Sequence, residues 1–551
     1  MSSSHFYAIR LAALMPLALI GWQTATAEDS QFSRLVQTTA VEFSVSQSQD
    51  AVALASNNVA VLPQEGDVAE VAVPQPSPSD EVAAPAVVES PVVSPAPCTC
   101  NGACCCTKKK KEAATAAMKG AFKGVFYAND FSYLNDPCYS GAPLFGEGLK
   151  GLHCGTVDVG GEARVRYHRE QNMRGLGLTG RSDEFWLTRY RMYANVHLTE
   201  NIRWYGEWLY ADSGSETFNP RPIEENREMQ NMFIDVQLTD SLNLRGGRQE
   251  ILLGNQRLVS PLDWANTRRT FDGLRGTYKG DNWTVDSFIL NPMQLDVKGI
   301  DSTNRDVQFW GIYGARGETA IGNLEAYYLG LNNDAADFDY QTIGGRVYGT
   351  GAHGNLYEVE GGVQFGENAP SIGGNRTAGF FTGGIGRKLS LCTRCGEWNP
   401  TVWMWYDWAS GGDDFPANRG DDSFDHLFPL AHKYLGFMDL FGRRNINDVN
   451  FQFMTNIGPR FKALLWYHYF FLDQATTPYG VTLQPYNTTS PAASKDLGSE
   501  LDLMFTCILN PRTTIALGYS HFNAGDYYKD TPNVAFNGDA DFFWTQMQMR
   551  F

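Results

Sequence analysis

Long apolar runs are missing from this chain. After residue 27 no stretch reaches the roughly 18 to 20 apolar residues that a membrane-spanning helix needs. Apolar residues make up 43% of the sequence and mean hydropathy is −0.31, which excludes a helical membrane bundle. Basic residues are also few, and the net charge of −17 argues against a nucleic-acid partner, whose phosphates attract basic surfaces. A secreted multidomain protein and a transmembrane β-barrel remain, since a barrel places apolar residues only at every second position of its strands.

Catalytic and metal-binding motifs are missing as well. No phosphate-binding loop is present, and His468 and His521 have no identifiable serine or asparagine partner. We therefore expect no enzyme, no catalytic residue and no cofactor. Calcium in an acidic loop is one metal alternative, although the spacing matches no EF-hand and a solvated loop is the simpler interpretation. The acidic residues concerned are Asp413, Asp414, Asp421, Asp422 and Asp425.

Four segments follow one another along the chain. Residues 1–27 hold a short apolar core, LAALMPLALIGW, and the small-residue pattern Ala25-Thr-Ala27, which together predict a secretory signal peptide. Residues 28–97 are rich in Ala, Val, Pro and Ser, and predict a disordered tether. Residues 98–156 form a Cys- and Lys-rich lead-in, with a short helix expected between Glu112 and Phe126. The folded body occupies residues 157–551.

Cysteines concentrate before the folded body. Residues 98–106 read CTCNGACCC, and adjacent cysteines do not fit a zinc site, so disulfides in an oxidising compartment are favoured over a soft metal. Cys138 and Cys154 are a further possible bridge, with connectivity left open. Cys392 and Cys395 lie in an expected turn, as a structural disulfide or two free thiols.

The body alternates between apolar and polar residues. In VDVGGEARVRYH, which begins at Val157, apolar and charged side chains occupy opposite strand faces. The same pattern returns along the body and predicts an all-β, antiparallel, up-and-down transmembrane barrel of about eighteen strands. The expected segments are 157–168, 185–198, 201–212, 229–238, 241–250, 271–279, 282–290, 306–316, 322–331, 340–349, 354–366, 376–389, 397–409, 446–457, 460–472, 496–507, 512–523 and 541–551.

The connections support the same architecture. Tight turns such as Thr199-Glu200 and Gly458-Pro459 are expected to alternate strictly with long connections such as 410–445. Outer-membrane barrels have short periplasmic turns and long extracellular loops, so the sequence predicts a Gram-negative-type outer membrane with the tether in the periplasm. The last strand ends in Phe551, which resembles the signal that barrel-assembly machinery reads.

Arginines fall at positions expected to face the lumen. A guanidinium binds carboxylates bidentately and stays charged, and rings of Arg or Lys select anions. The alternative is that they pair with lumen carboxylates such as Glu162, Glu207 and Asp235, and merely fill a wide barrel. The candidate pore residues from alternation are Arg164, Arg166, Arg189, Arg191, Arg203, Arg245, Arg346 and Lys462, with Arg550 in the last strand.

Two blocks resemble the alginate-export outer-membrane family. They are LRGGRQEILLGNQRL from Leu244 and PLDWANTRRTFDGLR from Pro261, and HLFPLAHKYLG from His426 adds to them. The resemblance implies a monomeric eighteen-stranded barrel that passes an anionic exopolysaccharide through an electropositive pore. It also implies five candidate pore or mouth cations, which are Arg248, Arg257, Arg268, Arg269 and Arg275.

The sequence thus predicts an outer-membrane channel for anionic, alginate-like polysaccharide or other carboxylated solutes. Its expected partners are that cargo, or small anionic solutes, and the lipid around the barrel, without nucleic acid. Two alternatives stay open: a general diffusion porin with weak selectivity, and a structural surface barrel tethered to the cell wall.

Overall fold

The computed structural model describes residues 106–551, except 176, 297–299, 371–372, 394–395 and 416–421. The expected signal peptide, the tether and the cysteines from Cys98 to Cys105 lie outside the described residues, as does Cys395. No described helix is both long enough and apolar enough to cross a bilayer.

In the described part of the chain, eighteen long antiparallel strands form one sheet. The sheet closes into a barrel because the first strand pairs with the last, Glu162 opposite Arg550. This confirms the expected fold class and strand number. The strands are β1 (Val157–Gln171), β2 (Asp183–His197), β3 (Ile202–Gly214), β4 (Asn226–Thr239), β5 (Leu242–Gln249), β6 (Phe271–Lys279), β7 (Trp283–Gln294), β8 (Val307–Thr319), β9 (Gly322–Asn333), β10 (Phe338–Thr350), β11 (Asn355–Glu367), β12 (Asn375–Lys388), β13 (Thr401–Ala409), β14 (Ile446–Ile457), β15 (Phe461–Phe471), β16 (Asp496–Asn510), β17 (Thr513–Ala524) and β18 (Ala540–Arg550).

Three short strands add to the barrel. Ser302–Thr303 pairs with the end of β7, while Leu391–Thr393 and Gly396–Trp398 form a small hairpin between β12 and β13. Each long strand pairs with its neighbours along the chain, which is the up-and-down order that the sequence predicted.

The strand faces differ as the alternation predicted. In β2 the side chains of Tyr190 and Met192 are 48% and 57% exposed, whereas Arg189 and Arg191 are buried. Successive strand residues point to opposite faces, so the apolar set covers the outside of the closed sheet and the charged set lies inside. A transmembrane barrel presents this apolar band to lipid.

Short connections gather at one end of the barrel. We call it the short-turn end; it holds residues 198–201, 240–241 and 458–460, and also both ends of the barrel chain. In one of these turns the Thr239 hydroxyl accepts hydrogen bonds from two backbone N–H groups, which fixes a tight reversal. The strict alternation that the sequence predicted is wrong at residues 334–337, a short link at the opposite end.

The described residues of two long connections fold into the barrel. These connections are residues 250–270, which we call the β5–β6 loop, and residues 410–445, which we call the β13–β14 loop. Trp264 of the first is fully buried and stacks on His432 of the second, with ring centroids 4.2 Å apart. Val259 also forms a parallel bridge with Phe428. The barrel interior is therefore packed by apolar and polar loop residues together.

The described part of the segment before β1 begins at Cys106. Helix α1 (Lys108–Lys119) begins after Thr107, whose side chain accepts from the Lys110 N–H, and Gly120 is its C-cap. The expected helix between Glu112 and Phe126 is therefore displaced toward the N-terminus. Cys138 forms a disulfide with Cys106, not with Cys154, whose thiol is free and exposed.

Candidate functional site in the barrel interior

The predicted pore cations fall into two classes of exposure. Lys462 is exposed near the short-turn end of β15, and its side chain joins none of the clusters below. The arginines are buried or nearly buried, and they gather in the interior around the β5–β6 loop and the short-turn end. The buried members are Arg164, Arg166, Arg189, Arg191, Arg245, Arg257, Arg268, Arg269 and Arg275, and the partly buried ones are Arg203, Arg248 and Arg346.

Arginines of β1 and β2 hold the β5–β6 loop by its backbone. Arg164 Nη1 and Arg189 Nη1 both donate to the carbonyl of Asp263, each at 2.8 Å. Arg166 Nη1 donates to the carbonyl of Trp264 at 2.9 Å, and its guanidinium lies 3.4 Å from the centre of that indole ring. Carbonyl partners stabilise the guanidiniums without cancelling their charge.

A chain of alternating charges joins the loop to the wall. Arg189 Nη2 lies 2.7 Å from Glu162, and Arg191 Nε lies 2.6 Å from Glu207. Arg268 of the loop pairs with Glu250 and Asp263. Because these groups are buried, each charge needs its partner, and the removal of one would leave the other uncompensated.

A second cluster lies on β11 and β13. Arg257 of the β5–β6 loop contacts three carboxylates, those of Glu358, Glu360 and Asp407, at 3.1, 2.8 and 3.2 Å. Arg346 of β10 bridges Glu358 at 3.0 Å and Glu325 at 3.1 Å. This cluster contains more carboxylates than arginines.

The remaining arginines pair along the wall of β3 to β7. Arg203 and Arg245 share Asp235, at 2.5 and 2.8 Å. Arg275 lies 2.8 Å from Asp286. Arg248 pairs with Glu228 and Asp272, the latter at 3.1 Å. Much of the predicted arginine set therefore has intramolecular carboxylate partners.

Arg269 differs from these residues. Its Nη1 donates to the carbonyl of Ser260 at 3.3 Å, its guanidinium lies 5.2 Å from the Phe428 ring, and Nη2 has no hydrogen-bond partner. Within the described residues no carboxylate lies in ion-pair contact with it, and burial lowers its pKa. It is the candidate whose charge is least compensated.

Several residues of the site were not among those predicted from the sequence. Arg443 pairs with Asp407, and Arg512 of the β16–β17 turn donates to the Tyr133 hydroxyl at 2.5 Å. In the loops outside the strands, Arg174 Nη1 lies 2.6 Å from Glu224. Alternation assigns a face only to strand residues, so the sequence has no signal for the direction of these loop and turn side chains.

The residues singled out for other chemistry lie elsewhere. His468 lies between Asp448 at 2.8 Å and Asp502 at 3.8 Å, and His521 contacts Asp541 at 2.9 Å. Asp425 of the acidic loop pairs with Arg444 at 3.3 Å, and calcium there stays a prediction.

Comparisons with known proteins agree with this architecture. The crystal structure of Pseudomonas aeruginosa OccK2 (OpdF) superposes with a TM-score of 0.50 at 10% identity, covering 72% of this chain and 97% of that one. Acinetobacter baumannii OccAB1 gives 0.49 at 11% identity, covering 72% and 96%. No curated protein sequence matches significantly. The sequence profile of alginate export proteins matches residues 156–538, and the chain belongs to the alginate export family.

Proposed function

We propose that the protein is an outer-membrane channel for anionic, alginate-like polysaccharide or other carboxylated solutes. Family membership over most of the chain is the observation that carries the proposal. The inward arginine series supports the class of cargo, because guanidinium is the side chain best suited to repeated carboxylates. In this proposal the channel is a monomer, its short turns and tether face the periplasm, and assembly machinery reads the strand before Phe551.

Carboxylate exchange is the proposed mode of passage. Arg164 and Arg269 bond to backbone carbonyls, so they can accept a cargo carboxylate without displacing a carboxylate of the protein. Paired arginines such as Arg191 instead exchange one carboxylate for another. A pore site has to bind strongly enough to admit its cargo and weakly enough to release it. Exchange between similar oxygen partners meets both conditions.

Ion selectivity in planar bilayers tests this proposal. We expect the full chain to prefer anions and to be blocked by an oligouronate, whereas a neutral oligosaccharide of equal length leaves the current unchanged. Arg269→Gln removes a buried charge without leaving a carboxylate unpaired. At an effective dielectric constant of about 20, a unit charge about 8 Å from a permeating ion changes its energy by ~2 kcal/mol. After screening by pore water and salt, we expect a roughly two- to five-fold lower anion-to-cation permeability ratio.

The control is Arg227→Gln, because the Arg227 side chain is 65% exposed outside the interior clusters. Heat-modifiable gel migration establishes that both variants are folded barrels. Cation selectivity of the unmodified protein, or equal ratios for Arg269→Gln and the unmodified protein, would contradict the proposal.

A general diffusion porin is the second candidate. The observation in its favour is the pairing of arginines with carboxylates, as between Arg257 and Glu360, which leaves little net field for an ion to sense. This candidate predicts a reversal potential near zero and no block by oligouronate. The third candidate, a structural surface barrel, predicts no conductance at all.

A further inference from the structure

Three aromatic rings form a stacked row on the inner wall near the short-turn end. Tyr193 of β2 and Tyr205 of β3 have ring centroids 5.7 Å apart at 22°, and Tyr205 and Phe233 of β4 lie 5.2 Å apart at 18°. All three side chains are buried. We call this row the aromatic ladder. Flat aromatic faces provide apolar platforms, and the C–H face of a sugar ring packs well on such a surface.

Residues 121–139, here called the plug segment, cover this ladder. The Phe126 ring lies 5.8 Å from Tyr193, and the Tyr127 ring lies 6.0 Å from Tyr205 and 5.3 Å from Phe233. Phe126 and Tyr127 are only 3% exposed, although they belong to no barrel strand. The burial is therefore supplied by the barrel mouth.

Arginines around the ladder also bind the plug segment. Arg203 Nη1 donates to the carbonyl of Tyr127 at 3.0 Å, and Arg268 Nη2 donates to the carbonyl of Gly124 at 3.1 Å. The Arg191 guanidinium lies 3.9 Å from the centre of the Phe126 ring. The plug segment thus offers oxygens and rings to cations that are also candidate pore residues.

The attachments of the plug segment differ from those of a strand. Its backbone joins no ladder of sheet hydrogen bonds in the described residues, and its disulfide closes within the N-terminal region, between Cys106 and Cys138. Beyond it, Lys150 Nζ donates to the carbonyls of Val159 at 2.5 Å and Phe551 at 3.4 Å. Such a segment can leave the mouth while the closed sheet stays intact.

We propose that the aromatic ladder and its flanking arginines form a mouth site for acidic sugar units, and that the plug segment is a displaceable cover seated on it. The inference rests on the proposed passage of carboxylated sugar. A uronate unit supplies the two groups that the plug segment supplies now, a flat C–H face for the ladder and oxygens for the guanidiniums. Cargo and plug segment therefore compete for the same mouth.

Conductance tests the cover without any cargo. The double variant Phe126→Ala/Tyr127→Ala removes both rings that contact the ladder in the full chain and alters no barrel strand. The matched control is Phe145→Ala, which lies outside the plug segment, is 66% exposed and contacts Phe551 instead of the ladder. In planar bilayers we expect the double variant to raise the mean conductance at least about two-fold and the control to leave it unchanged. A heat-modifiable double variant that conducts like the unmodified protein would overturn the proposal.

Limited proteolysis tests the competition with sugar. Trypsin cleavage after Lys123, a half-buried residue of the plug segment, reports on displacement of the cover. We expect a uronic-acid hexamer to accelerate this cleavage several-fold, and a neutral hexasaccharide to have no effect. Equal acceleration by both sugars, or by neither, would overturn the assignment of the mouth site to acidic sugar.

The proposed function and the proposed mouth site can be rejected independently of each other. Cation selectivity of the unmodified protein, together with both expected results above, would reject the proposed function and leave the covered mouth standing. Anion selectivity of the unmodified protein, together with unchanged conductance of the double variant and unchanged cleavage after Lys123, would reject the covered mouth and leave the proposed function standing.

Discussion

Substitution of Arg257 by methionine is the sharpest test of the interior ion pairs. Arg257 of the β5–β6 loop contacts Glu358, Glu360 and Asp407, all on barrel strands. Methionine fills a similar volume but supplies no charge and no donor. The substitution thus detaches the loop from this part of the wall and leaves buried carboxylates behind.

The three carboxylates differ in the partners that remain after the substitution. Glu358 keeps Arg346 at 3.0 Å, and Asp407 keeps Arg443. Among the described residues, Glu360 keeps only the Tyr327 hydroxyl as a hydrogen-bond donor, at 3.4 Å. Loss of one partner from a buried ion pair typically costs about 3–5 kcal/mol. We expect Arg257→Met to lower the free energy of unfolding by that amount, mainly through the charge left on Glu360.

A second substitution tests whether the loss of stability arises mainly at Glu360. Arg257→Met/Glu360→Gln removes the uncompensated charge, and we expect it to recover about 2 kcal/mol of the loss. The measurement is urea unfolding in detergent micelles, followed by tryptophan fluorescence. Arg227→Met, with its 65% exposed side chain, is the control and should change stability by less than about 0.5 kcal/mol. Simple additivity of the Arg257 and Glu360 substitutions would refute the reasoning, because it would mean that the two groups do not interact.

Two further predictions concern regions outside the strands. Burial alone would raise the pKa of Glu224, but the charge of Arg221 and the hydrogen bond from Arg174 outweigh it and hold the pKa at about 2, below the usual 4.5. The stabilisation from this carboxylate is complete above pH 4.5 and is lost as pH falls toward 2. Hydrogen exchange of residues 215–225, corrected for intrinsic rates, should therefore be faster at pH 3 than at pH 7. Equal protection at the two pH values would contradict this prediction. Reduction of the Cys106–Cys138 disulfide, which spans 32 residues, removes roughly 3–4 kcal/mol of chain constraint. Proteolysis of the plug segment should then accelerate while gel migration of the barrel stays constant, and an unchanged cleavage rate would show that the disulfide does not hold the segment.

The strands could be predicted because alternation is a local property. The alternation of apolar and polar residues distinguishes the two faces of a strand within a few residues. The predicted segments 271–279 and 446–457 therefore coincide with β6 and β14. The same local pattern placed Arg189 inside and Tyr190 outside. Expected ends differ by a few residues where a strand extends past the apolar band, as in β1.

The contacts inside the barrel could not be predicted in this way. Arg164 and the Ala265 carbonyl that it binds are 101 residues apart, and the β5–β6 loop that brings them together has no periodic pattern. The plug segment is a stronger case, because Phe126 and Tyr127 pack on rings of β2, β3 and β4, which are distant in sequence. Only the closed sheet provides a mouth that buries them.

The paired arginines and the proposed polyanion traffic are physically compatible. A lumen of bare guanidiniums would hold a polyuronate at many sites at once, and the summed affinity would prevent release. In this barrel Arg191 already has Glu207, and Arg203 already has Asp235, so a cargo carboxylate replaces an equivalent group and gains little at each step. Arg164 and Arg269, which bond to backbone carbonyls, are positions where a net attraction for a cargo carboxylate would remain. In the proposed channel, selectivity would then depend on a few uncompensated cations, and mobility of the cargo on the many compensated ones. It follows that Arg269→Gln should reduce anion selectivity far more than it changes conductance.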